Sequence, residues 1–328
     1  MNAVAILNPY ANRWNARARR AGVLAALRAA GVRFDAVETA GPGDATRLAR
    51  EAALAGAEAV IAIGGDGTVS EVANGLLLAA EDGPTVPLGV IPLGTGNDFA
   101  DMAGLPRDAR AAAGIIASGR RRPIDAARVT YGCRDDPPIR AGRDAQAANT
   151  TCLSAAVAVR RFFDNNCALA MEPLVTIENT RIRRVSGNMR YILALLRALR
   201  KLTAWDMRVT WDEGTYTGPV HLLSVCNSPR CGGLFLMAPG ALMDDGLLDV
   251  VLAPRLSKWE ILTILPRLLR GTHLRHPRIR RWRTRRLSVH STPPTPIHAD
   301  GEVLTESATR IDYETLPGRL TLLAPAET

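Results

Sequence analysis

Cysteine is scarce: there are five, at positions 133, 152, 167, 226 and 231, and no two form a Cys-x-x-Cys pair. An odd count without metal-ligand spacing argues against a disulfide framework or a zinc site, and fits a reducing cytosol. Long apolar runs are missing too, and nothing approaches the ~18 residues of a membrane-spanning helix. The opening MNAVAILNPYANRW has no basic lead-in, and its apolar stretch before Asn8-Pro9 is too short for a secretory signal. Lysine is nearly absent, since only Lys201 and Lys258 stand among the 41 basic residues. Neither follows a glycine, so a Gly-x-x-x-x-Gly-Lys-Ser/Thr phosphate loop is excluded. There is no Gly-x-Gly-x-x-Gly dinucleotide fingerprint, and neither His-Arg-Asp nor Asp-Phe-Gly of the protein kinases occurs.

What is present is a chain of 328 residues, 47% hydrophobic, which can bury a core and spans about two domains at ~100–200 residues each. Acids number 32 against those 41 bases, a formal net charge of +9. Abundant Ala and Arg together read as the codon bias of a GC-rich genome, but that does not explain where the charge sits. Residues 255–286 carry eleven cations and one acid, Glu260. Such a band points to phosphate, nucleic acid or an anionic membrane surface.

The first part of the chain, 1–125, alternates short apolar strands with helices. Strands are expected at Val4–Leu7, Val32–Val37, Ala59–Ile63 and Val86–Ile91. Helices are expected at Asn15–Ala30, Asp44–Ala55, Thr68–Ala80 and Asp108–Ser118. This pattern predicts an α/β domain with a parallel sheet covered on both faces. From 126 to 328 the rhythm changes to strand-like pieces between Gly, Pro and Asp turns. They lie at Leu174–Ile177, Met207–Trp211, Val220–Cys226, Leu247–Leu252 and Arg286–His290, with helices at Asn188–Leu202 and Ser257–Leu269. Ser291–Pro296 reads as a loop. A second, mostly antiparallel β-rich domain follows, whose extreme C-terminus is placed to return to the first.

Two glycine-rich segments carry chemistry. Gly64-Gly65-Asp66-Gly67-Thr68 comes straight after an apolar strand and opens a helix. The glycines permit a tight turn with positive φ and a close approach of backbone amides to an anion. The helix N-terminus adds partial positive charge. Thr68 and Glu71 fit a capping box. Pro92-Leu93-Gly94-Thr95-Gly96-Asn97-Asp98-Phe99 follows another strand, so both loops fall on one sheet edge and suit a polyphosphate. Asp66 and Asp98 can hold the waters of a Mg²⁺ ion; Asn97-Asp98 also reads as a helix cap.

These segments, with the early Asn8-Pro9, resemble the diacylglycerol kinase catalytic-domain family, which includes bacterial lipid kinases and sphingosine-kinase-like enzymes. The resemblance continues through Asn227, Gly232-Gly233, Pro239-Gly240-Ala241, Asp244-Asp245-Gly246-Leu247-Leu248-Asp249, Arg270-Gly271-Thr272-His273 and Ala299-Asp300-Gly301-Glu302, in the family's order. It implies a fold of the NAD-kinase/diacylglycerol-kinase type that binds ATP between its two domains and phosphorylates a lipid hydroxyl, foremost that of diacylglycerol. Asp300 would be the general base and Glu302 its support. Asn8, Pro9, Thr39, the two glycine loops (Gly64 to Thr68; Gly94, Thr95 and Asn97) would hold the nucleotide. Asp66, Asp98 and Asp125 would form a Mg²⁺–water network, and Asp245 with the carbonyls of Leu242 and Leu247 a structural Mg²⁺ site. By residue chemistry alone, Asp300-Gly301 and Asp244-Asp245-Gly246 read as turns. Three positions depart from the family pattern. Asn12 stands where a glycine is usual, Leu234 closes the Gly-Gly run, and Ser154-Ala155-Ala156-Val157 lacks a carboxylate at Ala156.

A lipid hydroxyl requires docking at a bilayer. Trp259, Ile261, Leu262, Ile264, Leu265, Leu268 and Leu269 form an apolar series beside Lys258, Arg267 and Arg270, and seven arginines follow between 275 and 286. The mixture suits an interfacial helix on anionic lipid in a cytoplasmic, peripherally attached protein; packing on its own domain is the alternative. No nucleic-acid-binding signature is present, and a homodimer is compatible with the sequence. The rival readings are a soluble NAD-kinase-like enzyme and a catalytically silent nucleotide-binding membrane adaptor.

Overall fold

A computed structural model describes residues 2–12, 15–133, 158–182 and 188–325. The chain opens with β1 (Asn2–Leu7), α1 (Asn15–Ala29), β2 (Arg33–Glu38), α2 (Asp44–Leu54), β3 (Ala59–Gly64), α3 (Asp66–Ala79), β4 (Leu88–Pro92), α4 (Asp98–Met102) and α5 (Ala109–Ser118). The four strands run parallel in the order β4-β3-β1-β2. Every residue of β3 and β4 is buried, as expected of strands covered on both faces. Period-two alternation divides the core. Ile6, Val60, Ala62 and Val90 pack with α2 and α3, whereas Ala5, Leu7, Ile61, Ile63 and Ile91 pack with α1 and α5.

The second half contributes β5 (Arg121–Cys133), β6 (Ala158–Phe163), β7 (Asn166–Ala170), α6 (Met171–Arg181), α7 (Asn188–Arg200), β8 (Trp205–Trp211) and β9 (Gly214–Cys226). It ends with β10 (Leu248–Pro254), α8 (Lys258–Leu268), β11 (Arg280–Thr284), β12 (Arg286–Ala299) and β13 (Glu302–Leu323). Its strand pairs are antiparallel. The 22-residue β13 binds the halves together. It pairs with β12 and β5 along most of its length and meets β4 in parallel at Leu322–Leu88. One hydrogen-bonded sheet thus runs from β11 to β2 through both cores.

Two expectations fail here. Leu174–Ile177 lies inside helix α6. Its β-branched residues suggest a strand, but Pro173 is tolerated in a first helical turn and Val175 packs with Ala194 and Ala198 of α7, so tertiary contact wins. Ser291–Pro296 lies within β12. The prolines fall where the β12–β13 register shifts between His290 and Thr295, and Pro294 offers its carbonyl to Trp205 Nε1 at 3.0 Å.

Candidate active site

The carboxyl ends of β1, β3 and β4 converge, and their loops are knitted by short bonds. Asn8 follows β1; its Nδ2 donates to Thr68 Oγ1 at 3.0 Å, and its Oδ1 accepts from the Tyr10 amide at 3.0 Å. Pro9 beside it is buried. Thr39, just past β2, is buried and tied to Leu7 by its amide. Gly64 and Gly65 need no positive φ; Gly65 has φ −97°. Their requirement is space. A Cβ on Gly64 would stand 2.4 Å from Thr68 Oγ1, and one on Gly94 would stand 2.6 Å from Gly65 Cα. The two glycine loops therefore touch backbone to backbone, which no side chain permits. Gly67 is different, for nothing lies within 4 Å of its would-be Cβ and it faces solvent.

The expected capping box is absent. Helix α3 begins at Asp66 with Gly65 as an uncapped start, Thr68 binds Asn8, and Glu71 accepts from the Ala45 amide of α2 at 3.1 Å. An uncapped start leaves first-turn amides for an anion. Asp66 instead organises the second loop, with Oδ2 accepting from the Asn97 amide at 2.8 Å and Oδ1 from Phe99 at 3.1 Å. Asn97 sits in the left-handed region and bridges the loop through its side chain to the Gly94 amide and carbonyl. Exposed Thr95 reaches Asn12 Oδ1 at 3.4 Å; Asn12 itself holds φ 50°, so it supplies the left-handed geometry that glycine would.

Asp98 faces the second domain. Its Oδ2 accepts from the Gly233 amide at 2.6 Å, while Oδ1 is buried without a partner among the described residues. Burial pushes both Asp66 and Asp98 above the usual carboxylate range. Gly232 and Gly233 take positive φ, so this contact is made by a turn that Leu234 does not disturb. Two cations not singled out in the sequence stand here. Arg107 holds Asp101 by a two-point bond at 2.9 and 2.7 Å and the Gly96 carbonyl at 2.9 Å, and Arg230 lies 3.4 Å from Asp101.

Asp300 occupies a β12–β13 hairpin turn, with φ 47° followed by 81° at Gly301. The turn and the catalytic-motif readings are thus compatible. Its carboxylate accepts four hydrogen bonds. Oδ1 takes the amides of Asn165 and Asn166, both at 3.0 Å; Oδ2 takes Ser70 Oγ at 2.8 Å and the Asp164 amide at 3.2 Å. Ser70 lies one helical turn beyond Asp66, so α3 carries both the phosphate loop and a contact to Asp300. Asp164 is buried beside Asp300; burial first, then the Asp300 charge, pushes its carboxyl well above the ordinary range. Asn227 is fully buried and ties the carbonyls of Asp125 and Asp164. Neither Ser70 nor Asp164 was expected; the Asp66–Ser70 spacing was the one available signal.

Three expected site residues are held by partners the sequence did not indicate. Glu302 does not touch Asp300; it pairs with Arg161 at 2.7 Å. Asp125 is buried and held by backbone amides. Its oxygens accept from the Gly246 amide at 2.6 Å and the Gly318 amide at 2.7 Å, so it anchors two distant turns. Asp245 accepts from the Leu247 amide at 3.0 Å, and Arg283 stands 3.5 Å from Asp245 and 3.3 Å from Asp249. Asp245 Oδ2 and Asp249 Oδ2 are nonetheless buried without a hydrogen-bond partner among the described residues, so this turn still offers carboxylate oxygens to a cation beside that guanidinium. Among the described residues no group of three or more His, Cys, Asp or Glu is placed to hold a metal. The open Oδ1 of Asp98, beside Asp66, fits a hydrated cation whose other ligands are phosphate oxygens and water. Ser154–Val157 lie outside the described residues.

Residues 2–129 match the family model of the diacylglycerol kinase catalytic domain, and 169–324 match that of the YegS C-terminal NAD kinase beta sandwich-like domain. A diacylglycerol kinase of Mycobacterium tuberculosis (strain H37Rv) is 31% identical over 98% of this chain and 94% of its own length. The chain belongs to the diacylglycerol kinase catalytic-domain family of lipid kinases. Another member, a probable lipid kinase YegS-like of Xanthomonas campestris pv. campestris (strain 8004), is 30% identical over 92% of this chain and 90% of its own. A diacylglycerol kinase structure from Bacillus anthracis str. Sterne shares the fold with a TM-score of 0.67 at 20% identity, covering 99% of this chain and 97% of that one. The fold extends to yeast NADH kinase complexed with NADH, at a TM-score of 0.55 and 10% identity over 100% and 84% of the two chains.

Proposed function

We propose that this family member transfers the γ-phosphoryl group of ATP to the free hydroxyl of diacylglycerol, giving phosphatidic acid and ADP. The observation that carries this reading is the link from Asp300 through Ser70 to the helix that begins at the glycine loop. It couples a candidate base to a phosphate cradle on one rigid element. The lipid oxygen attacks phosphorus, the bond to the bridging oxygen of ADP breaks, and the hydroxyl proton passes to Asp300. Three of the four donors to Asp300 are backbone amides, which hold the carboxylate in place. The Ser70 hydroxyl is the one rotatable donor, so it is the bond that the lipid hydroxyl displaces. Asp98, through its open Oδ1, would hold a hydrated Mg²⁺, which would supply charge neutralisation of the phosphates. Asp66, Asn97 and Gly94 keep the two loops together around them.

The described helices are too short and polar to span a bilayer, and the reading places the enzyme on an anionic membrane surface. Supporting it, Trp259 is 79% exposed on α8, with Leu262 and Leu269 also exposed, while Ile261, Ile264 and Leu268 of the same helix are buried in its own domain. One face of that helix thus packs on its own domain, and the exposed opposite face supports the docking reading. Labelled ATP with diacylglycerol, ceramide, sphingosine, a polyprenol and NAD⁺ in parallel tests the proposal. Labelled phosphatidic acid is expected. Labelled NADP⁺, a different phosphorylated lipid, or nucleotide binding without any product would each replace it.

A further inference from the structure

Between the end of α7 and the start of α8 lies a cavity of about 750 Å³ that the phosphoryl-transfer site does not use. Its walls come from Leu202–Ala204 after α7, from His221 on β9, and from Arg255, Lys258 and Arg278 around the α8 N-terminus. Arg255 and Lys258 are exposed and form no ion pair among the described residues. The one acid in the wall is Glu260. Its oxygens accept from the Ser257 amide at 2.7 Å and from Arg278 at 2.9 and 3.2 Å, so it is committed to the capping box and one guanidinium.

His221 is 94% buried by its 6% exposure, and its ring direction is set. Nδ1 accepts from the Leu256 amide at 3.1 Å. The ring is therefore neutral, with its proton on Nε2, and that N–H makes no hydrogen bond among the described residues. His221 lines the cavity, so this donor is offered to whatever acceptor the cavity holds. An oxygen anion flanked by two free cations and a helix start satisfies it.

The flanks say what kind of anion. Exposed Trp259 and Leu262 project from α8, and Met189, Ile192 and Leu196 are exposed along α7. A cationic, donor-lined cavity next to the exposed Trp259 of α8, which follows Lys258 in the chain, suits a phosphate whose molecule continues into hydrocarbon. We propose that this cavity is a second lipid site, holding the terminal phosphate of an anionic phospholipid, of the phosphatidic acid class, apart from the active site. Arg255, Lys258 and the His221 Nε2–H are its donors. The inference rests on the lipid-surface reading above, and it is tested by binding, so its failure and the failure of the kinase reading are distinguishable.

The experiment is co-sedimentation of the full chain with phosphatidylcholine vesicles carrying phosphatidic acid, or carrying oleate at matched surface charge. Three proteins are compared: the parent, Arg255→Gln/Lys258→Gln, and Arg110→Gln/Arg120→Gln, which removes the same charge from the first domain. The proposal expects the parent to prefer phosphatidic acid over oleate severalfold. It expects Arg255→Gln/Lys258→Gln to lose that preference with an unchanged melting temperature, and the first-domain variant to keep it. Equal binding to both vesicle types, or equal losses in both double variants, overturns the site in favour of diffuse attraction. His221→Asn, which retains a side-chain acceptor and shortens the donor's reach, is expected to reduce the preference alone; full retention removes His221 from the site.

Discussion

At the scale of single residues, Asp300 and Asp164 make opposite predictions about charge. Asp300→Asn keeps the size and the hairpin but cannot take the hydroxyl proton. Turnover is expected to fall ~10²–10⁴-fold, with ATP affinity by calorimetry unchanged; a kcat close to the parent's would strip Asp300 of its role. Asp164 is the reverse case. Its folded-state carboxyl is held well above the ordinary range by burial and by Asp300. Its contribution to stability is therefore complete below the unfolded value of about 3.8 and is lost as pH rises through the folded value. Asp164→Asn, which never ionises, should be the more stable protein at neutral pH. Its advantage in urea melts should widen as pH is raised from the acid side. A variant that is less stable at every pH would mean that the ionised carboxylate has a partner that Asn cannot serve.

At the scale of elements, the glycine loops separate packing from ligand contact. Gly94→Ala drives a Cβ against Gly65 Cα and Asn97 Oδ1, at 2.6 and 2.7 Å. Overpacking of that kind costs ~1–3 kcal/mol, so both thermal stability and ATP affinity should fall. Gly67→Ala meets nothing within 4 Å and should leave the melting temperature unchanged while weakening ATP; an unaltered KM for ATP would place the phosphates elsewhere. Both loops were legible in the sequence because each is contiguous and follows an apolar strand. Asp125 was not, since its partners Gly246 and Gly318 lie 121 and 193 residues away and no local pattern encodes them. Asp164 likewise gains its meaning only when the β6–β7 turn folds onto the Asp300 hairpin. Strand β13 escaped notice because its inner face alternates with partly exposed polar residues over a length that no short window captures. Helix α6 was misread for the same reason in reverse, its β-branched residues being overruled by α7.

For the molecule as a whole, the basic band is distributed and does not form one helix. It runs from α8 through β11 into β12, with Arg280 over the Tyr216 ring at 5.0 Å and Arg286 3.6 Å from Glu314. Arg281 and Arg285 are exposed. Replacing Arg280, Arg281, Arg285 and Arg286 by Gln should lower activity on anionic vesicles, more so at low salt because screening at ~0.15 M already acts beyond ~8 Å. Activity on a short-chain, water-soluble diacylglycerol should be spared, and equal losses on both would assign these arginines to the fold. The continuous sheet has a mechanical meaning. A hinged enzyme opens by bending a linker, but here β13 crosses from one core to the other as a crossbeam, laced to β5 and β12 along most of its length. Opening the cleft by a hinge would require unzipping that ladder. The span from the glycine loop to the Asp300 turn is therefore set when the chain folds. The ordering cost of bringing base and phosphate together is met before any substrate arrives, and traffic through the site falls to the loops at its rim.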